Sequence, residues 1–184
     1  MKFKPTDKTS RRLIGLAGRA LLGVLLWLVA MLGPGVFGRV YTEEAPGIAH
    51  ISPEEPLVVL YAAKVPDTYV ADHGWFAIRE GGGWERWEVW QRAGGEYGHV
   101  RRNLLPERQD VGAGGLRIIA YWKGEHARAF AECIARESPR YRFSGRYLIW
   151  PGPNSNTYIA AMLEVCGIEQ DLPWSFYGAW AALF

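Results

Sequence analysis

The chain of 184 residues contains only two cysteines, four histidines and three methionines. None of the histidines stands at metal-ligand spacing from a cysteine or carboxylate, so neither a metal nor a cofactor is expected. Cys133 and Cys166 fall on two different predicted helices. They read as small buried apolar side chains, with a disulfide as the alternative, because sequence spacing does not set their distance. Charge is also sparse, at 22% of residues with a net charge of +2. Much of that excess lies in the first twenty residues, which leaves no basic face of the kind that binds nucleic acid. The chain has no internal repeat and no low-complexity tract, so solenoids and fibrous assemblies are excluded. The triplet Gly81-Gly82-Gly83 lacks the following helix signal and the Lys and hydroxyl residue of a phosphate loop, and it reads as a turn.

Apolar residues, by contrast, make up 49% of the chain, enough for one real core. Residues 20–38 carry no charge and include the run Leu21-Leu22-Gly23-Val24-Leu25-Leu26-Trp27-Leu28-Val29. At about 1.5 Å per residue this run nearly crosses a hydrocarbon layer of about 30 Å, and residues 13–17 extend it if Arg19 reaches toward the headgroups. Lys2, Lys4, Lys8, Arg11 and Arg12 precede it, whereas Arg39 is offset by Glu43 and Glu44 after it. The positive-inside bias therefore holds the N-terminus in the cytoplasm and turns the rest of the chain outward. A cleaved signal peptide would share the basic start and apolar run. The length of the run, and the lack of a small-x-small pattern over residues 33–39, favour an uncleaved anchor. The expected organisation is a cytoplasmic tail (1–12), a transmembrane anchor (13–38), a polar tether (39–55) and an outward domain (56–184).

Within that domain, residues 56–63 form an apolar run of strand length and residues 73–79 a second strand. Residues 86–91 alternate as a hairpin partner across the glycine turn, with further strands expected over 100–105 and 116–122. Residues 125–136 carry apolar side chains at helical spacing and stop before Pro139. The remaining feature is Trp150-Pro151-Gly152-Pro153-Asn154-Ser155-Asn156-Thr157, a rigid turn that restarts at once as the apolar helix 158–166, ended by Gly167. Strands and helices are mixed without regular βαβ alternation, which predicts an α+β fold, an antiparallel sheet packed with helices.

The Pro-Gly-Pro-Asn-Ser-Asn-Thr motif, with His73-Gly74-Trp75-Phe76 and Arg86-Trp87-Glu88-Val89 upstream, resembles an uncharacterised bacterial family of membrane-anchored proteins over roughly residues 56–173. The order of parts is more distantly similar to the circularly permuted papain-like enzymes, among them lecithin retinol acyltransferase and relatives of the NlpC peptidases. That resemblance aligns His73 with their histidine and Asn154-Ser155 with their Asn-Cys pair, so serine stands where those enzymes carry the nucleophile. It implies a hydrolase or acyltransferase with Ser155 as nucleophile and His73 as base. Glu88, on the partner strand, is the candidate to orient the ring. Asn154, Asn156 and Trp87 are then candidates for substrate binding.

Each of these residues has a plainer use. Ser155 at a helix entrance is a natural cap, Asn154 and Asn156 can brace the turn, His73 can make a structural hydrogen bond, and Glu88 can be an ordinary surface charge or a salt-bridge partner for Arg86 or Arg79. Trp84, Trp87 and Trp90 crowd one hairpin as a possible platform for a sugar ring or lipid chain, but such residues are more often core. The apolar tail of residues 174–184 either packs back on the domain or touches the bilayer. Two functions follow: a serine-dependent enzyme acting on an envelope amide or ester, or a non-catalytic module that binds an envelope lipid, peptide, glycan or protein at the membrane.

The charge asymmetry predicts that a reporter fused after Phe184 is exported and that the protein stays with membranes through a high-salt wash. Reporter activity in the cytoplasm reverses the orientation, and a shortened soluble product replaces the anchor with a signal peptide.

Overall fold

The computed structural model describes residues 21–24, 48–66, 71–112 and 114–183. The chain divides into two units, Met1–Val40 and Tyr41–Phe184. In the first unit, residues 21–24 form an exposed helical turn. The rest of the expected anchor over 13–38, and the tail over 1–12, lie outside the described residues. Among the described residues no helix is long and apolar enough to cross a membrane.

The second unit is α+β. Five strands, β1 (Leu57–Lys64), β2 (Asp72–Glu80), β3 (Gly83–Val89), β4 (Val100–Arg102) and β5 (Arg117–Lys123), form one sheet, joined by helices α1 (Gly124–Glu137) and α2 (Ser155–Val165). The strand order is β4-β3-β2-β1-β5, and every pairing is antiparallel. Hairpin geometry explains the β2–β3 turn. Glu80 pairs with Gly83 across two residues, Gly81 and Gly82, whose φ values of 60° and 83° are the left-handed pair that a tight type I′ turn demands. The run expected as a strand over 100–105 shortens to three residues, because Asn103 leaves the strand with φ 54° and bonds sideways to Arg86.

Strand β1 is buried along almost its whole length, so both faces of the sheet are covered. On one face Val58, Leu60, Phe76 and Ile78 pack with Phe130 and Ile134 of α1 and Tyr158 and Ile159 of α2. On the other, Val59, Tyr61, Trp75 and Ala77 are covered by smaller pieces, including Ile48, Ile51 and Val111. The segment expected as a free tether over 39–55 is therefore part of the domain from Ile48 onward. Ile48–His50 is a 3-10 turn, and two isoleucines three residues apart put their side chains on the sheet. Arg79 Nη2 fastens the same segment by donating to the carbonyl of Ser52 at 2.6 Å.

Gly74 sets how closely α2 approaches. A Cβ there would lie 2.6 Å from the Phe176 ring and 3.1 Å from Ile159 Cγ1. Successive side chains of β2 point to opposite faces. Gly74 looks toward α2, and His73 and Trp75 look away.

The reading of two free cysteines is corrected. Cys133 on α1 and Cys166 at the C-cap of α2 form a disulfide, with their Cα atoms 5.8 Å apart. Both helices pack on the same sheet face, and that shared packing, which neither helical pattern reveals alone, brings the two sulfurs together.

The bridge spans 33 residues of sequence. A closed loop of that size stabilises the fold by about 3–4 kcal/mol in the chain-entropy account. Replacing both cysteines by Ala is expected to lower the denaturant midpoint accordingly, and thiol reagents should label the wild-type chain only after reduction. Ready labelling of the native unreduced protein would refute the bridge.

Candidate functional site

The proline turn builds the start of α2 by hydrogen bonds that the sequence motif supplies almost completely. Asn154, not Ser155, is the N-cap. Its side-chain oxygen accepts from the amides of Asn156 at 3.0 Å and Thr157 at 3.2 Å, and Thr157 Oγ1 accepts from the Asn154 amide at 3.1 Å. This reciprocal box satisfies the first orphan amides of the helix. Asn154 Nδ2 donates to the carbonyls of Ile149 and Tyr177, and Asn156 Nδ2 to those of Asp72 and Tyr177. Thr157 Oγ1 also donates to Gly178 O at 2.6 Å. The C-terminal segment thus closes over the turn. Gly178, at φ 83°, is needed there because a Cβ would meet Asn154 Nδ2 at 2.5 Å. Asn154 and Asn156 are braces, and Ser155 is the first residue inside the helix, buried with them.

His73 and Glu88 lie on the opposite side of the sheet. His73 Nε2 is 2.9 Å from Glu88 Oε2, the pairing expected of a histidine and its orienting carboxylate. The same oxygen accepts from Arg86 Nη2 at 2.7 Å. Arg86 stacks its guanidinium 4.1 Å from the centre of the Trp75 ring and donates through Nη1 to the carbonyls of Pro106 and Gln109. Trp75 Nε1 donates to Glu107 O at 2.7 Å. Residues 103–112 are therefore a loop held down on the sheet by an arginine and a tryptophan.

Electrostatics follow from this burial. Desolvation opposes the charge on Glu88, but the hydrogen bond and charge of His73 and the charge of Arg86 outweigh it and hold the carboxyl below its ordinary range. Burial likewise pulls Arg86 below the usual guanidinium value, with Glu88 acting the other way. Glu88 Oε1 and Arg86 Nε are buried with no hydrogen-bond partner among the described residues.

His73 and Ser155 are not brought together. The helix that begins at Ser155 packs over Gly74, whereas His73 leaves the opposite face and has the rings of Trp75 and Trp90 at 5.9 and 5.6 Å. No hydrogen bond joins the two among the described residues. Trp87 is buried at 2% exposure in the helix-side core, beside Tyr97. Strand alternation explains this: Trp84 and Trp90 share a parity, Trp87 has the other, and three tryptophans in one hairpin cannot make one platform.

Sequence reasoning names Arg86 only as an alternative ion-pair partner of Glu88 and Trp90 only as one of three tryptophans on a shared platform; it does not foresee the clamp of Arg86 on Pro106 and Gln109 or the separate place of Trp90. Arg86 and Glu88 are two residues apart on a strand and so share a face, which was the available signal. Trp90 forms a wall of an open cleft of about 430 Å³, with Leu105, Arg108, Gln109, Asp110, Val111 and Gly112. Its Nε1 is buried with no acceptor among the described residues. No group of three or more His, Cys, Asp or Glu side chains among the described residues is placed to hold a metal.

No curated protein and no solved structure matches the chain. Residues 55–179, a span that holds all five strands, both helices, the His73–Glu88–Arg86 cluster and the proline turn, match one family model. The chain belongs to the family described as Protein of unknown function (DUF3750).

Proposed function

We propose that this protein is a non-catalytic binding module of the bacterial envelope, held by its N-terminal segment in the inner membrane with the domain outside the cytoplasm. The observation that carries the binding reading is the separation of His73 and Ser155 by the sheet. A serine needs a base within hydrogen-bond reach, and the one His of the motif set faces away from it. The His73–Glu88–Arg86 cluster serves instead as a brace that shapes the adjoining cleft. That cleft joins a tryptophan ring to the polar side chains of Arg108, Gln109 and Asp110. A tryptophan wall in a cleft also lined by polar residues suits a ligand with an apolar face and polar edges, the chemistry of a sugar ring. Placement outside the cytoplasm is supported by the basic N-terminus and by the Cys133–Cys166 bridge, since disulfides persist in oxidising compartments.

The 2.9 Å contact of His73 with Glu88 favours a second, hydrolytic reading, with His73 as base toward a hydroxyl or water in the cleft. The two readings separate on one set of variants of the full chain. Trp90→Ala is expected to weaken binding of neutral and N-acetylated oligosaccharides about tenfold, a loss of roughly 1.4 kcal/mol, while Ser155→Ala leaves it unchanged. An esterase or amidase activity lost in His73→Ala and kept in Ser155→Ala would replace the binding reading with the hydrolytic one.

Glu88 also predicts a pH dependence. Its folded pKa lies below the ordinary carboxylate value, so its contribution to stability is present above that ordinary value and is lost as pH falls through the lowered one. Glu88→Gln leaves Arg86 buried without its counter-charge and is expected to cost about 3–5 kcal/mol in urea unfolding near neutral pH. The penalty should shrink at acid pH, where the wild-type carboxyl is itself protonated. An unchanged midpoint at neutral pH would remove the brace from the account.

A further inference from the structure

The loop before the proline turn and the segment after α2 expose large apolar side chains side by side. Ile149 is 66% exposed, and Trp150 and Trp174 are about half exposed, at 49% and 47%. The Tyr177 ring joins them, with its centre 6.1 Å from that of Trp150 and 5.7 Å from that of Trp174. The two segments are tied together, because Asn154 Nδ2 donates to both Ile149 O and Tyr177 O. Trp180, 48% exposed, follows in the 3-10 turn Ala179–Leu183. A rigid frame therefore holds these side chains out toward solvent, a cost that a soluble surface does not ordinarily carry.

The sequence leading into this patch is basic, and the Asp72 carboxylate that acts on Tyr177 is buried and paired with Lys64 and Arg117. From Ser138 to Leu163 the chain contains Arg140, Arg142 and Arg146 and no acidic residue, and residues 174–184 carry no charged side chain. All three arginines are exposed. Arg142 Nη2 donates to Ala182 O at 2.5 Å, which fixes that side chain beside the C-terminal segment. Arg140 lies 3.8 Å from Glu137, a loose exposed pair. Tryptophan and tyrosine with an aliphatic tip, preceded in the chain by exposed arginines of which Arg142 is fixed beside the C-terminal segment, is the composition that settles at the boundary between headgroups and acyl chains.

Chain length brings a bilayer within reach. The domain begins at Ile48, where the side chain already packs on the sheet. With the anchor ending at residue 38, nine residues remain, and fully extended they span about 30 Å. We propose that the patch formed by Ile149, Trp150, Trp174, Tyr177 and Trp180 docks on the surface of the bilayer that anchors the chain, with Arg140, Arg142 and Arg146 facing anionic headgroups. The proposal rests on the anchor reading stated above. It orients the domain, placing the α2 entrance toward the lipid and the β2–β3 turn, at the other end of β2, away from it.

The test uses the full chain reconstituted into vesicles of phosphatidylcholine alone or mixed with phosphatidylglycerol. Both native cysteines are bonded to each other, so a spin label on Ile149→Cys or Glu80→Cys reports one position. The label at 149 is expected to collide several-fold more with oxygen, relative to a water-soluble nickel chelate, than the label at 80, and more so in the anionic vesicles. Arg140→Gln with Arg146→Gln should remove the anionic preference without moving the label at 80. If the chain stays on the vesicles through a salt wash but both labels are equally open to the chelate, the docking surface is overturned and the anchor stands. If the chain washes off, the anchor and the docking surface fail together. Equal burial of the label at 149 in the two lipids overturns the role of the arginines.

Discussion

One buried carboxylate organises the sheet face that carries the cleft. Glu88 Oε2 receives hydrogen bonds from both His73 and Arg86, and Arg86 in turn holds the carbonyls of Pro106 and Gln109. Without that negative charge, a guanidinium 1% exposed would have no counter-ion and the loop would have no clamp. Burial makes such a cluster costly to assemble and costlier still to break, since the loss of one member leaves the others charged in a poor solvent. The cleft beside Trp90 exists because this brace holds residues 105–112 at a set height above the sheet.

The other face works by close contact. Gly74 and Gly178 are both places where backbone comes too near a side chain for a Cβ, the first under Phe176 and Ile159, the second against Asn154. Asn154 caps α2, grips the segment before it and grips the segment after it, all with one side chain. Those hydrogen bonds give the Asn and Thr of the motif a structural use. They also explain why the exposed aromatic side chains of residues 149–150 and 174–180 are presented together.

The two faces divide the candidate site residues between them. A papain-like reading needs the histidine and the helix tip on one side of the sheet, and the orientation of β2 assigns them to opposite sides. The likeness to those enzymes rests on the order of motifs along the chain, and order does not specify which way a side chain points from its strand. The cleft at Trp90 and the aromatic patch at the α2 entrance follow that division, since each uses residues from one face or one end alone.

Much was legible in the sequence. The apolar run at 56–63, the alternation at 86–91 and the helical spacing at 125–136 each reflect a local pattern, and all three elements appear within a few residues of those bounds. The α+β class and the approach of Glu88 to His73 followed from the same patterns, because hairpin partners across a short turn are neighbours by necessity. Strand parity is present in the sequence too, but grouping Trp84, Trp87 and Trp90 as one platform leaves it unused: it puts Trp87 apart from the other two, and His73 apart from Gly74. What only the tertiary structure decided was which face each helix covers. The disulfide between Cys133 and Cys166, the packing of Ile48 and Ile51 on the sheet, and the separation of His73 from Ser155 all depend on that choice. Local periodicity shows that an element has an apolar side. It does not name the partner, because burial is non-directional, and the partner is set by how all the elements fit around one core.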